Sequence, residues 1–431
     1  MKRKIYDKLV EWKNSKDRKP LILQGARQVG KTYIVNLFGK ENYENVVYCN
    51  FEKEKGLKDF FSNLEPVNII KKIGNYKRKE IMMDRTLIIF DEIQACPEAL
   101  TSLKYFCEEA NEYHIISMGS LLGVSVHRQE FSFPVGKVEF LNMYPMDFEE
   151  FLMATENDLL IDEIKKCYEL DTHLDTLFHE KALELYKKYL YIGGMPEIVE
   201  EFLKNDNYDL VKIKQLSILD SYFDDMGKYN KESEIPKTKL VYKNISVQLA
   251  RENRKFKYSL VKSGGRSKEF ENAIEWVCLS GIANQLYRLE QIKLPLNAYK
   301  SLNDFKFYMN DVGLCCASQD ILAEDIIFDN PDFNYFKGGL TENYVNNQMI
   351  VNNNQCYYWT SGNEAEIDFI SRIGKNVIPI EVKSNINNKS KSLNEYMKRY
   401  NPEYAIRISA RNFGFENNIK SVPLYAVFCI K

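Results

Sequence analysis

Short apolar runs separated by mixed, helix-length stretches dominate the first third of the chain. Leu21 to Leu23, Val46 to Phe51, Leu87 to Phe90, Ile115 to Met118 and Val138 to Leu141 each read as strands buried on both faces, the mark of a parallel α/β sheet. The period then changes. Between about Met153 and Leu203 apolar residues recur at three and four, as in DEIKKCYEL and EKALELYKKYLYI, which predicts a helical lid or connector. A second helical region is expected from Asp209 to about Gly281. From about Phe305, strand-like runs alternate with a helix-like segment at Ser392 to Tyr400, so α/β character returns. The expected domains are residues 1–152, 153–304 and 305–431, joined by short linkers because Pro and Gly are sparse.

Composition narrows the class. A chain of 431 residues, 45% hydrophobic and 28% charged, has enough apolar material for several packed domains and is not a disordered tail. Lys and Arg total 59 against 61 Asp and Glu, so no global positive field would draw nucleic acid, and any such contact needs a local patch. One exists: Arg251 to Glu269 carries seven Lys or Arg against two Glu. Nine cysteines without a Cys-x-x-Cys pair, and four histidines outside zinc-finger spacing, argue against a disulfide framework or a zinc cluster. The first twenty residues are charged where a signal peptide needs an apolar stretch, and no run approaches the length of a membrane span. The expected location is the cytoplasm, with no membrane partner.

The segment Gly25-Ala26-Arg27-Gln28-Val29-Gly30-Lys31-Thr32 fits G-x-x-x-x-G-K-[ST] and stands between a strand and a helical pattern, where a phosphate-binding loop must stand. Its backbone N–H groups would surround the phosphates, Lys31 would meet the β and γ oxygens, and Thr32 would offer a hydroxyl to Mg²⁺. The buried run Thr86 to Phe90 ends on Asp91-Glu92. Asp91 would hold Mg²⁺ through water, and Glu92 would polarise the water that attacks the γ-phosphate. Ser120 or Ser117, at the end of the strand His114 to Met118, is a candidate γ-phosphate sensor, and Ser120 reads equally as a helix N-cap.

Taken in order, PLILQGARQVGKT, TLIIFDEIQ, MGSLLG, FLNMYPMDFEEFL and YLYIGGMPEIV resemble the bacterial and archaeal AAA+ ATPases that carry a C-terminal domain of unknown function. The resemblance implies a five-stranded AAA+ core, ATP and Mg²⁺ as cofactors, and assembly with further copies of the chain or with a protein partner. Where that family commonly has Gly-Arg before the last core strand, this chain has Gly136-Lys137, and lysine cannot make the bidentate guanidinium contact. Arg128 is the candidate substitute for that arginine. The basic stretch and the following FENAIEWVCLSGIANQLYRL resemble a winged helix, which implies DNA as a candidate partner, with Arg251, Arg254, Lys255, Lys257, Lys262 and Arg266 as phosphate contacts.

Near the C-terminus, Asn363 to Ile370 and Val377 to Ser384 read as a β-hairpin. The period of two puts Glu381 and Lys383 on one face, with Asp368 of the partner strand facing the same way. Two carboxylates and a lysine so placed can hold Mg²⁺, activate water and steady a developing phosphoryl charge. The pattern is similar to the D-(x)n-E-x-K signature of the PD-(D/E)xK nucleases, a restriction-endonuclease-like fold. That resemblance adds Glu342, in the helix-like GGLTENYVNNQM, as a helical metal ligand. The expected function is therefore an Mg-dependent AAA+ ATPase that couples its nucleotide state to a DNA-directed, nuclease-like domain. The alternative is an ATP-gated DNA- or protein-binding module whose C-terminal domain is catalytically inactive.

Overall fold

The computed structural model describes residues 1–119, 134–251, 254–362, 365–385 and 390–431. The chain divides into two compact units, an N-terminal one of Lys2–Tyr144 with Leu279–Gly281, and a C-terminal one of Pro145–Cys278 with Ile282–Lys431.

The N-terminal unit alternates helix and strand: α1 (Ile5–Asn14), β1 (Leu21–Gln24), α2 (Lys31–Asn42), β2 (Asn45–Asn50), α3 (Pro66–Lys77), β3 (Thr86–Asp91), α4 (Pro97–Glu109), β4 (His114–Met118) and β5 (Glu139–Asn142). The five strands form one all-parallel sheet in the order β2-β3-β4-β1-β5. Every residue of β3 and β4 is buried, which is why β3 reads as an apolar run from Leu87 to Phe90 and β4 as one broken by Ser117. Pro66 and Pro97 open their helices where a missing N–H costs nothing. One core joins Ile22, Val47, Ile88 and Phe90 of the sheet to Ile69 and Ile73 of α3 and Leu103 and Phe106 of α4. Placing β1 between β4 and β5 leaves the loops after β1 and β3 at the same C-terminal edge of the sheet, where open α/β sheets bind ligands.

The C-terminal unit opens with helices α5 (Phe148–Ala154), α6 (Asp158–Leu170), α7 (Thr176–Ile192), α8 (Pro196–Asn205), α9 (Tyr208–Tyr229) and α10 (Ile235–Leu249). After α11 (Tyr258–Val261) and α12 (Ser267–Leu279) comes an antiparallel pair, β6 (Ala283–Leu289) and β7 (Lys300–Met309). Helices α13 (Val312–Ser318), α14 (Ala323–Ile327) and α15 (Asn334–Val351) follow, then β8 (Cys356–Thr360), β9 (Glu366–Ile373), β10 (Asn376–Val382), α16 (Lys391–Tyr400), β11 (Ala405–Ser409), β12 (Gly414–Glu416) and β13 (Ile419–Pro423). One eight-stranded mixed sheet runs β12-β13-β11-β10-β9-β8-β6-β7. Because β6 pairs in parallel with β8, the hairpin β6–β7 and the C-terminal strands share that sheet, and β7 passes straight through the boundary expected at 304/305. Helices α13 and α14 also fill much of 312–327, where the sequence suggested strand-like runs, while α15 contains the helix-like GGLTENYVNNQM.

The YIGGMPE stretch acquires a structural reason. A Cβ on Gly194 would sit 1.9 Å from the Met146 carbonyl oxygen, and one on Gly193, at φ 78°, would strike the Asp311 carboxylate. That carboxylate accepts the Gly194 N–H at 2.6 Å and caps α13 through Leu314 N–H at 2.9 Å. Only glycine lets the turn after α7 close on this buried acid.

Candidate functional site

The loop between β1 and α2 is shaped by two glycines and pinned from behind. Gly25 has φ 149° and Gly30 φ 96°, and a Cβ on Gly25 would overlap the Met143 carbonyl oxygen at 2.1 Å. Ala26 and Val29 pack into the core, while Arg27 and Gln28 are more open to solvent. The Val29 carbonyl accepts from Arg3 Nη1 at 2.9 Å, and Arg3 Nη2 reaches the Tyr144 carbonyl at 2.7 Å. A buried guanidinium thus fixes the loop from 26 residues upstream, and no motif announced it. Lys31 is 8% exposed and its ammonium donates to the Gly25 and Ala26 carbonyls at 2.9 and 2.8 Å, so a positive charge lies across the loop. The first N–H groups of α2 point the same way, with no intrahelical acceptors.

Asp91 ends β3 buried beside this loop. Its Oδ2 takes the Thr32 hydroxyl at 3.4 Å and the Tyr48 hydroxyl, and its Oδ1 takes the Glu92 N–H at 3.0 Å. A hydroxyl and a carboxylate that converge beside a phosphate-binding loop are hard oxygen donors of the kind Mg²⁺ accepts, so this donor set fits the ion of a bound MgATP. Tyr48, on β2 next to β3, is a further missed contributor. Glu92 sits in a left-handed turn at φ 51°, and its Oε2 accepts from Gln94 Nε2 at 2.6 Å. Burial raises the Glu92 carboxyl, the nearby Asp91 charge adds to this, and the Gln94 bond opposes it. Ser117 is buried with its hydroxyl unpartnered, and Lys137 forms a surface ion pair with Glu108 at 2.9 Å. Ser120 and Arg128 lie outside the described residues.

In the C-terminal unit, Ile380 pairs with Phe369, so the next residues, Glu381 and Asp368, share a face of the sheet. Asp368 Oδ2 accepts the Val382 N–H at 2.8 Å. Glu381 is 2% exposed; its Oε1 meets Lys383 Nζ at 3.2 Å, and its Oε2 is buried without a hydrogen-bond partner, Arg407 Nε standing 4.0 Å away. An orphaned carboxylate oxygen beside a second acid fits a divalent cation held by two carboxylates and water.

Glu342, expected as a helical metal ligand, is engaged by cations of the chain itself. It is buried on α15, with one oxygen paired to Arg254 and the other to Lys306 at 3.1 Å and the Tyr308 hydroxyl at 2.9 Å. Burial would raise this carboxyl, but the two cations outweigh it and hold it well below the usual range. Asp368 is pushed up, by burial first and by the Glu342 charge second. Among the described residues no group of three or more His, Cys, Asp or Glu side chains is arranged to hold a metal.

Half of the basic positions expected to meet phosphate are engaged in ion pairs, one of them with a buried acid and two at the surface. Arg254 is committed to Glu342, Lys255 to Asp304, and Lys262 to Glu269 at 2.7 Å, which leaves Arg251, Lys257 and Arg266 of the six expected phosphate contacts. Arg254 is held by a buried carboxylate, and pulling it away to meet a phosphate would leave that acid unpaired. On α12 the outward positions include Lys268, Glu271, Asn272 and Glu275, so the exposed side of this helix carries more acid than base.

Residues 17–152 match the family described as AAA domain, and residues 183–325 and 337–427 match two families described as domains of unknown function. With the phosphate-binding loop after β1 and an acid pair after β3 of this five-stranded sheet, the N-terminal unit is an AAA+ P-loop domain and the chain as a whole is α/β. No curated protein matches the chain significantly. Similar solved structures include a Walker-type ATPase of Pyrococcus abyssi, 15% identical over 74% of this chain and 95% of that chain with a TM-score of 0.43. The ORC1 protein of Aeropyrum pernix in complex with DNA is 14% identical over 76% and 91%, TM-score 0.27. RuvB of Thermotoga maritima is 13% identical over 65% and 88%, TM-score 0.29. Among the described residues no helix is long and apolar enough to cross a membrane.

Proposed function

We propose that the chain binds MgATP in the loop Gly25 to Thr32 and hydrolyses it. The observation that carries this reading is the meeting at one sheet edge of the Lys31 ammonium, the Thr32–Asp91 contact at 3.4 Å and the adjacent Glu92. When ATP binds, Lys31 exchanges its two carbonyl acceptors for phosphate oxygens. Thr32 and Asp91 would hold the Mg²⁺, which neutralises phosphate charge. Glu92 orients the attacking water and takes its proton, a task suited to a carboxyl raised by burial. Lys31→Ala should abolish ATP binding, and Glu92→Gln should bind ATP without turnover. Wild-type hydrolysis rates in both variants would overturn the assignment.

For the C-terminal unit, α15-β8-β9-β10-α16-β11 supports a restriction-endonuclease-like reading, with Asp368, Glu381 and Lys383 as the reactive set and the orphaned Glu381 oxygen as the observation in its favour. Asp368 and Glu381 would hold a divalent ion that activates water, and Lys383 would steady phosphoryl charge. Cleavage of supercoiled DNA with Mn²⁺, lost in Asp368→Ala, tests this. No cutting by the wild-type chain selects the inactive-platform alternative. The order α10, a strand bridge at Lys255–Lys306, α11, α12 and the hairpin β6–β7 is what supports a winged helix.

A further inference from the structure

The acid cluster of the C-terminal unit contains a cation of its own. Lys306 leaves β7 with a side chain only 2% exposed, and its ammonium meets Glu366 Oε1 at 2.6 Å, Glu342 Oε2 at 3.1 Å and Asp368 Oδ1 at 3.9 Å. The Tyr358 ring centre lies 5.3 Å from the same nitrogen. Tyr308, two residues along the strand, donates to the Glu342 oxygen that Lys306 contacts, while Arg254 takes the other. Two elements supply the acids, Glu342 from α15 and Glu366 and Asp368 from β9, and the one ammonium stands within 3.9 Å of all three carboxyls.

We propose that Lys306 is the resident cation of this cluster, filling the position that a divalent ion would need in order to bridge Glu342 to Asp368. It is a positioning residue. Among the described residues this leaves the pair Asp368 and Glu381 as the place a divalent ion would take in this unit. This role of Lys306 goes beyond the nucleotide reading and holds whether or not the unit cuts DNA.

Removing the ammonium should turn the cluster into a metal site. In Lys306→Met, which keeps the length of the stem, Glu342, Glu366 and Asp368 lose their shared cation, Arg254 stays on the far oxygen of Glu342, and the freed carboxyl oxygens are hard ligands for a divalent ion. Mn²⁺ bound per full-length chain, counted by electron paramagnetic resonance without nucleotide, should rise by one ion relative to wild type. The added ion should vanish in Lys306→Met/Glu342→Gln and be absent in Lys306→Arg. Mn²⁺ should also raise the melting temperature of Lys306→Met more than that of wild type. Equal Mn²⁺ counts in wild type and Lys306→Met would overturn the proposal. A Lys306→Met chain that folds only with Mn²⁺ supports it, and one that folds under neither condition overturns it. Absence of DNA cleavage by the wild type bears on the nuclease reading alone, because none of these Mn²⁺ counts depends on turnover.

Discussion

Gly25→Ala is the most direct test of how the nucleotide loop is built. The new Cβ would lie 2.1 Å from the Met143 carbonyl oxygen and 3.1 Å from its carbon, at φ 149°. A carbon and a carbonyl oxygen need about 3.3 Å, so roughly 1.2 Å of movement is required. The obstacle is main chain and is held in place: Met143 N–H donates to the Gln24 carbonyl at 2.7 Å, and β5 is paired to β1 along its whole length. The loop must therefore give way. Backbone N–H groups that bind phosphate work within a few tenths of an ångström, and a displacement of about 1 Å costs about 10²-fold in rate, or about 2.7 kcal/mol. Steady-state ATP hydrolysis by the full chain should show kcat/KM lowered by about that factor. Gly56→Ala, whose Cβ would meet nothing within 4 Å, should leave turnover unchanged and serves as control. A Gly25→Ala enzyme with wild-type kcat/KM and an unchanged melting temperature would refute the steric account of the loop.

Two further outcomes follow from charges inside the C-terminal unit. Burial raises the Asp311 carboxyl from 3.8 to about 6, although the N–H groups of Gly194, Leu314 and Gly313 favour its anion. Between these values the folded state holds a proton that the unfolded state has lost, so this group's contribution falls as pH rises through the window and is flat above it. The loss amounts to about 3 kcal/mol. Melting curves from pH 4 to 7 should lose this component in Asp311→Asn, and parallel profiles for the two proteins would contradict it. Among the described residues, Arg251, Lys257 and Arg266 of the six nominated cations stand outside ion pairs, so log affinity for duplex DNA should fall against log salt with a slope no steeper than about 3. A slope near 6 would mean that the paired cations also turn to phosphate.

What could be read from the sequence was contiguous. The loop Gly25 to Thr32 and the pair Asp91-Glu92 each lie within a few residues, so spacing alone announces their chemistry, and fully buried strands β3 and β4 show themselves as apolar runs, that of β4 broken by Ser117. Arg3, Tyr48 and Lys306 left no such trace, because each acts on a partner far along the chain: Val29, Asp91 and Glu342 respectively. A signal for Lys306 did exist. In Phe305-Lys306-Phe307-Tyr308-Met309 a lysine interrupts an apolar run whose five residues are all buried, and a lysine in such a place must be paired. The boundary near 305 failed for the opposite reason. A strand joining an earlier hairpin to a later sheet looks from sequence like the start of whatever follows.

Lys306 also changes how the basic stretch is understood. Runs of Lys and Arg beside aromatics suggest a nucleic-acid surface because solvated cations are free to meet phosphate, but burial reverses that inference. Arg254 and Lys306 belong to the helix-and-hairpin segment, while Glu342, Glu366 and Asp368 belong to the segment after it, and their pairing ties the two together around one sheet. Breaking a buried pair by removing one partner costs about 3–5 kcal/mol, far more than a surface contact returns. Arg254 is thus explained by the buried acid it neutralises within the chain, and a polyanion would have to be met by the other cations of the stretch.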